Sequence, residues 1–251
     1  MKAIYSISLV VAAAVLLAVS APVYASKTDD RIEASAKKSY VFKTYLKEDD
    51  IKIESKNGAV TLTGRVSEDY HKALAQDTMA GLPGVKSVDN RLEVKGERLP
   101  EKSDAWLSTK VKTTLLFHRS VSAKTEVSTK DGIVTLQGEA TSQAQKELTT
   151  EYARDVEGVK DVNNEMTVSK TSKKKSQTTA EKIDDASITA LVKMALVLHR
   201  STSALNTSVT TKKSVVTLGG KARNAAEKDL VTKIVDDVNG VKSVNNRMTI
   251  E

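Results

Sequence analysis

Along the chain, short alternating runs give way repeatedly to a helical period. Ile51 and Ile53 alternate with Lys52 and Glu54, and Val60 and Leu62 alternate with Thr61 and Thr63, which predicts two half-buried strands joined at Asn57-Gly58. Leu107, Val111 and Leu115 step by four, as do Ile188, Val192 and Leu196, and each set marks one face of a helix. Further helices are predicted over 67–82, 142–156 and 224–238, with Leu74, Leu148 and Leu230 on their buried lines. Each ends near a glycine. A closing strand places Val88, Asn90, Leu92 and Val94 on one face and Asp89, Arg91 and Glu93 on the other.

This pattern occurs three times. Gly58-Ala59-Val60-Thr61-Leu62-Thr63-Gly64 returns as Gly132-Ile133-Val134-Thr135-Leu136-Gln137-Gly138 and as Ser214-Val215-Val216-Thr217-Leu218-Gly219-Gly220. Gly84-Val85-Lys86-Ser87-Val88-Asp89-Asn90 returns from Gly158 to Asn164 and from Gly240 to Asn246. The steps Gly64 to Gly84, Gly138 to Gly158 and Gly220 to Gly240 are each 20 residues. One structural unit is therefore used three times, over 29–94, 104–168 and 185–250. The middle copy is one residue shorter before its first strand. Each unit reads α-β-β-α-β, an α+β fold with two helices covering one face of a three-stranded sheet. The segment 169–184, with Lys173-Lys174-Lys175 and many Ser and Thr, reads as a mobile basic linker.

Local chemistry sharpens these expectations. Asp104 and Asp185 are placed to N-cap their helices. Lys213-Ser214 replaces the Asn-Gly and Asp-Gly turns of the other copies, so a looser turn is expected there. Gly64, Gly84, Gly138, Gly158, Gly220 and Gly240 read as structural turn and cap residues. Asn90, Asn164 and Asn246 fall on the apolar face of the last strand and read as structural amides that satisfy backbone groups of a neighbouring loop.

Residues 1–25 read as a signal peptide, with Lys2, an uncharged stretch from Ala3 to Val19 and cleavage after Ala25. The apolar run is shorter than the roughly 20 residues of a spanning helix. Export argues against DNA or RNA as partner. The chain has 39% hydrophobic and 28% charged residues, an ordinary globular balance, and a net charge of +7 that favours anionic surfaces. It has no Cys, which excludes disulfides, thiolate nucleophiles and Cys-based metal sites. Its three His, at positions 71, 118 and 199, cannot converge within one unit, and no metal-ligand spacing or phosphate-binding glycine loop is present. No enzyme, cofactor or metal is expected.

The glycine-flanked strand, the Gly-Val-x-x-Val-x-Asn strand and the α-β-β-α-β order resemble the BON domain, named for bacterial OsmY and nodulation proteins, three times over nearly the whole mature chain. The resemblance implies an OsmY-like periplasmic envelope or osmotic-stress protein that contacts phospholipid surfaces or supports exported and outer-membrane polypeptides. The segment from Ser103 to Lys112 is similar to the start of the second BON domain of outer-membrane lipoproteins, for which lipid contact at this helix is implied. Trp106 is the only Trp, and Lys110 and Lys112 lie beside it. His118-Arg119-Ser120 recurs as His199-Arg200-Ser201, where the first copy has Lys43-Thr44-Tyr45. Trp106, Lys110, Lys112, His118 and Arg119 are therefore the candidate lipid-binding residues, for peripheral contact with anionic phospholipid. The alternative partner is an unfolded exported polypeptide, held in a chaperone-like manner.

Overall fold

The computed structural model describes residues 22–96, 99–121, 124–169, 182–202 and 207–251, with side chains from residue 27 onward. The expected signal peptide lies almost wholly outside the described residues, as does most of the basic linker. Helix α1 (Pro22–Lys38) runs across the expected cleavage point.

In the first unit, α1 and the short α2 (Tyr40–Thr44) precede β1 (Asp50–Lys56), β2 (Ala59–Val66), α3 (Asp69–Ala80) and β3 (Ser87–Val94). The second unit comprises α4 (Asp104–Phe117), β4 (Glu126–Lys130), β5 (Ile133–Gln137), β6 (Glu139–Ala140), α5 (Gln143–Arg154), β7 (Asp161–Asn164) and β8 (Thr167–Val168). The third comprises α6 (Asp185–Leu198), β9 (Thr207–Lys212), β10 (Val215–Ala222), α7 (Ala225–Asp236), β11 (Ser243–Asn246) and β12 (Thr249–Ile250).

In every unit the middle strand pairs antiparallel with the first and parallel with the last. A parallel neighbour needs a crossover, and the second helix supplies it. Val60, Leu62 and Val66 point into the core with Val134 and Leu136, or Val216 and Leu218, at the matching places. Gly64 and Gly138 sit where the first strand begins beneath them. An added Cβ would lie 2.0 Å from Asp50 O or 2.6 Å from Lys124 O, so no side chain fits.

Two local expectations change. Ser103 and Asp184 are the N-caps of α4 and α6, accepting from the amides of Trp106 and Ser187. Asp104 and Asp185 instead grip the hairpin turns. Asp104 accepts from the amides of Asp131 and Gly132 at 2.8 and 2.9 Å, and Asp185 from Lys213 and Ser214 at 2.7 and 2.8 Å. Asp29 does the same for Asn57 and Gly58, and bonds from Ser55 and Gly58 hold its carboxyl below the usual range. The Lys213-Ser214 turn is consequently no looser than its counterparts. It is the same two-residue left-handed turn, with φ 54° and 63°, against 55° and 82° at Asn57-Gly58. Left-handed backbone disfavours Lys and Ser, and the Asp185 carboxylate holds them there.

The units pack against one another rather than standing apart. Helix α6 is central, with ten of its fourteen residues buried. One apolar core spans the first and third units, while the second keeps its own. This packing also breaks the first helix of unit one at Ser39. There the amides of Tyr40 and Val41 donate to the Asp184 carboxylate, at 2.8 Å, and to Ser187 Oγ, at 3.1 Å.

Candidate functional site

Trp106 lies in the first turn of α4, fixed by the Ser103 cap and half-buried against the second unit's core. Its ring borders a groove of about 320 Å³ between units one and two, with Tyr70, Val94, Leu99, Thr113 and Leu198 as further walls. Lys110, one turn on, places Nζ 4.6 Å from the centre of the Trp106 ring, a cation–π contact. Burial pushes the Lys110 ammonium down, against the pull of Glu157, which is 3.8 Å away, and of Glu101. Burial also pushes the Tyr70 phenol up to about 12. Lys95 and Lys110 line the groove together with Glu68, Asp69 and Glu101. Lys112 is exposed on the same helix and borders an adjoining hollow with the exposed Leu116. Trp106 and Lys110 are thus brought together at an open, partly apolar groove, and Lys112 lies at the hollow beside it.

His118 and Arg119, expected among the lipid-binding residues, are not part of that surface. His118 is 2% exposed, inside the joint between the second and third units. Arg119 donates to Val241 O at 2.9 Å and to the Asp236 carboxylate at 3.1 Å. The backbone closes the joint as well: the amide of Arg119 donates to Asp237 O and that of Arg200 to Asp155 O, both at 2.9 Å. Ser120 and Ser201 donate to the carboxylates of Asp237 and Asp155. The joint is a pseudo-twofold pairing of one patch with its own repeat.

Sequence reasoning missed Asp155 and Asp237, although a signal existed. Both occupy the C-cap of the second helix in the two copies that carry His-Arg-Ser, and the copy without that triplet has Gly81 at the same place.

The structural asparagines act on a helix rather than on a loop. Asn164 Nδ2 donates to Lys146 O at 2.9 Å and Thr150 Oγ1 at 2.7 Å, while its Oδ1 accepts from the amide of Met166 at 2.9 Å. Asn246 repeats this with Lys228, Thr232 and Met248, and Asn90 with Lys72, Gln76 and Leu92. All three are half-buried. Gly84, Gly158 and Gly240 hold φ of 96°, 96° and 88°, and Gly220 holds 106°, so these positions require left-handed backbone.

The osmotically-inducible protein Y of Escherichia coli strain K12 is 32% identical over 143 residues, covering 55% of this chain and 71% of that protein. Among solved structures, CdsD, a structural protein of the type III secretion system of Chlamydia trachomatis, is similar over 88% of this chain and 90% of its own, at 16% identity and a TM-score of 0.25. The periplasmic domain of PrgH is similar over 82% of this chain and 97% of its own, at 11% identity and a TM-score of 0.21. The BON domain family matches at residues 28–96, 103–170 and 184–251, and the chain belongs to that family.

Proposed function

We propose that this chain is a non-enzymatic periplasmic protein of the osmotic-stress response that docks reversibly on anionic phospholipid through the Trp106 end of α4. Its family and the name of its osmotically inducible relative support the stress role, and the expected signal peptide supports export. The observation that carries the lipid reading is the groove itself. A lone, half-buried Trp stands at an opening walled by Leu99 and Tyr70, with Lys95 and Lys110 lining it beside Glu68, Asp69 and Glu101, and with Lys112 exposed nearby. An indole is suited to the headgroup boundary, apolar on its faces and polar at its N–H. Each lysine facing an anionic leaflet adds about 1 kcal/mol, so the site binds weakly and salt-sensitively.

Tryptophan fluorescence with co-sedimentation tests this, because Trp106 is the only fluorophore of its kind. Anionic vesicles should shift its emission to the blue, zwitterionic vesicles should not, and high salt should reverse the shift. Trp106→Ala should weaken co-sedimentation while leaving most of the stability intact. An unshifted spectrum, with a large loss of stability in Trp106→Ala, would assign the ring to the interior. Binding of an unfolded polypeptide without vesicles would then favour the chaperone-like function.

A further inference from the structure

The joint between the second and third units contains four side chains in line. Asp155 Oδ2 lies 2.8 Å from His199 Nδ1, His199 Nε2 lies 3.0 Å from His118 Nε2, and His118 Nδ1 lies 3.4 Å from Asp237 Oδ2. Both rings are 2% exposed. Each of the three contacts is favourable only with a proton between its atoms, yet two neutral imidazoles bring two. The carboxylates bring none. Burial pushes Asp155 up, but bonds from His199 and Ser201 outweigh it and hold the group below its ordinary range. Asp237 is also held down, against burial, by the facing His118 and by bonds from Ser120 and Tyr152.

With two protons, one contact must set lone pairs against each other at buried atoms. That contact would be the one at His118 Nδ1, which is buried without a hydrogen bond. A third proton removes the conflict. His199 has the closer carboxylate, at 2.8 Å against 3.4 Å for His118, and burial pushes His118 down, so His118 is the neutral, accepting ring of the pair.

We propose that this joint is a proton-dependent latch, closed when His118 and His199 together hold one proton beyond their neutral complement and loosened when that proton leaves.

The other charges facing the pair are arginines on the same two carboxylates and the groups around them. Arg119 Nε and Arg200 Nε approach Oδ1 of Asp237 and Asp155, at 3.7 and 3.6 Å, leaving Oδ2 of each carboxylate for the imidazoles. Tyr152 stacks on His118 with centroids 3.9 Å apart and donates to Asp237 Oδ2 at 2.8 Å. Asp236 pairs with Arg119, and Glu151, Arg154 and Lys233 border the hollow beside His199. Above about pH 7, where free imidazoles are neutral, the closed joint binds one proton more than the open one, so closure weakens as pH rises through the titration of the pair.

Amide hydrogen exchange on the full chain tests the latch at the amides of Arg119 and Arg200, which donate across the joint. After correction for intrinsic rates, their protection should fall at least tenfold between pH 6 and 9, while amides in the middle of α6 stay unchanged. His199→Gln, which does not titrate in this range, should flatten the profile. A flat wild-type profile, or the same fall in His199→Gln, would overturn the proposal. Imidazole ¹⁵N spectra of the wild type decide the matter if that variant does not fold. A shared one-proton transition of His118 and His199, separate from that of His71, supports the latch, and two rings neutral throughout pH 5.5–9 refute it.

Discussion

Where the first and third units meet, α3 lies on α6 so closely that a Cβ on Gly81 would sit 3.1 Å from Ala186 Cα. Where the second and third meet, the same repeat position is Asp155 or Asp237, and each carboxylate faces an imidazole, a hydroxyl and an arginine of the other unit. The first seam is largely apolar and continuous with the cores it joins, including Ala190, Leu191 and Met194, apart from the bonds of Asp184 and Ser187 to the amides of Tyr40 and Val41 and the Lys193–Asp77 pair. The second is polar, symmetric and stacked on Tyr152. One position at the end of the second helix therefore decides between them. Glycine lets helices approach; aspartate demands a donor from the partner.

The largest effect should come from charging the apolar seam. Ala190 is fully buried in α6, and Ala190→Asp would leave a carboxylate without a partner there. Denaturation of the full chain should show a loss of about 4 kcal/mol, with units one and three failing together because they share a core. In the polar seam, Asp237→Ala removes the acceptor of Tyr152 and Ser120 and the counter-charge of Arg119. It should lower stability by about 2 kcal/mol, a smaller loss because that seam is partly open to water. The amide of Arg119 should lose exchange protection while α3 keeps its own.

Acid should separate the seams in the same way. Asp155 and Asp237 are held below the ordinary carboxylate value, so their contribution is present above about pH 4 and lost as pH falls below it. Far-ultraviolet signal and exchange at Arg200, followed together below pH 4, should show the polar joint opening before the apolar core unfolds.

Much of each unit was legible because its signals are local. Alternation at Val60 and Leu62, the hairpin turns, and the left-handed glycines all depend on neighbours within a few residues. The asparagines were legible as satisfied amides, although their partner is a helix. Helix α6 was read as a single apolar face, whereas nearly every residue from Ala186 to Leu198 is apolar or small, which is the composition of a helix buried all round. The break at Ser39 had only one local signal, the serine that caps α2, since the amides of Tyr40 and Val41 are claimed by Asp184 and Ser187, 144 and 146 residues away. The candidate site was half legible for the same reason. Trp106 and its lysines lie on one helix, but the groove needs Tyr70 and Val94 from another unit, and the fate of His118 depends on the third.

Within a unit, a polar group should matter in the same way whichever seam is nearby. Asn164→Leu leaves the amide of Met166 without its partner and removes the tie to Lys146 and Thr150 on α5. Because the site is half-buried, water replaces part of what is lost, and the expected destabilisation is about 1–2 kcal/mol. Thermal melting should detect it, with no change at the amides that bridge the joint. An equal loss of protection at Arg200 would mean that the joint and the unit's interior are coupled.

The smallest effect tests whether the apolar seam relies on its own ion pair. Lys193 Nζ lies 2.9 Å from Asp77 Oδ1 and ties α6 to α3. On distance alone it looks as strong as any contact in the polar joint. Its side chains, however, are 38% and 28% exposed, so water and salt screen the attraction, and ordering a long lysine offsets much of the rest. Lys193→Met keeps the aliphatic stem against α3 and removes only the charge. It should change stability by less than about 0.5 kcal/mol, and the difference should vanish in high salt. A loss near 2 kcal/mol in denaturant titration would place electrostatics in both seams and erase the distinction drawn from Gly81 and Asp237.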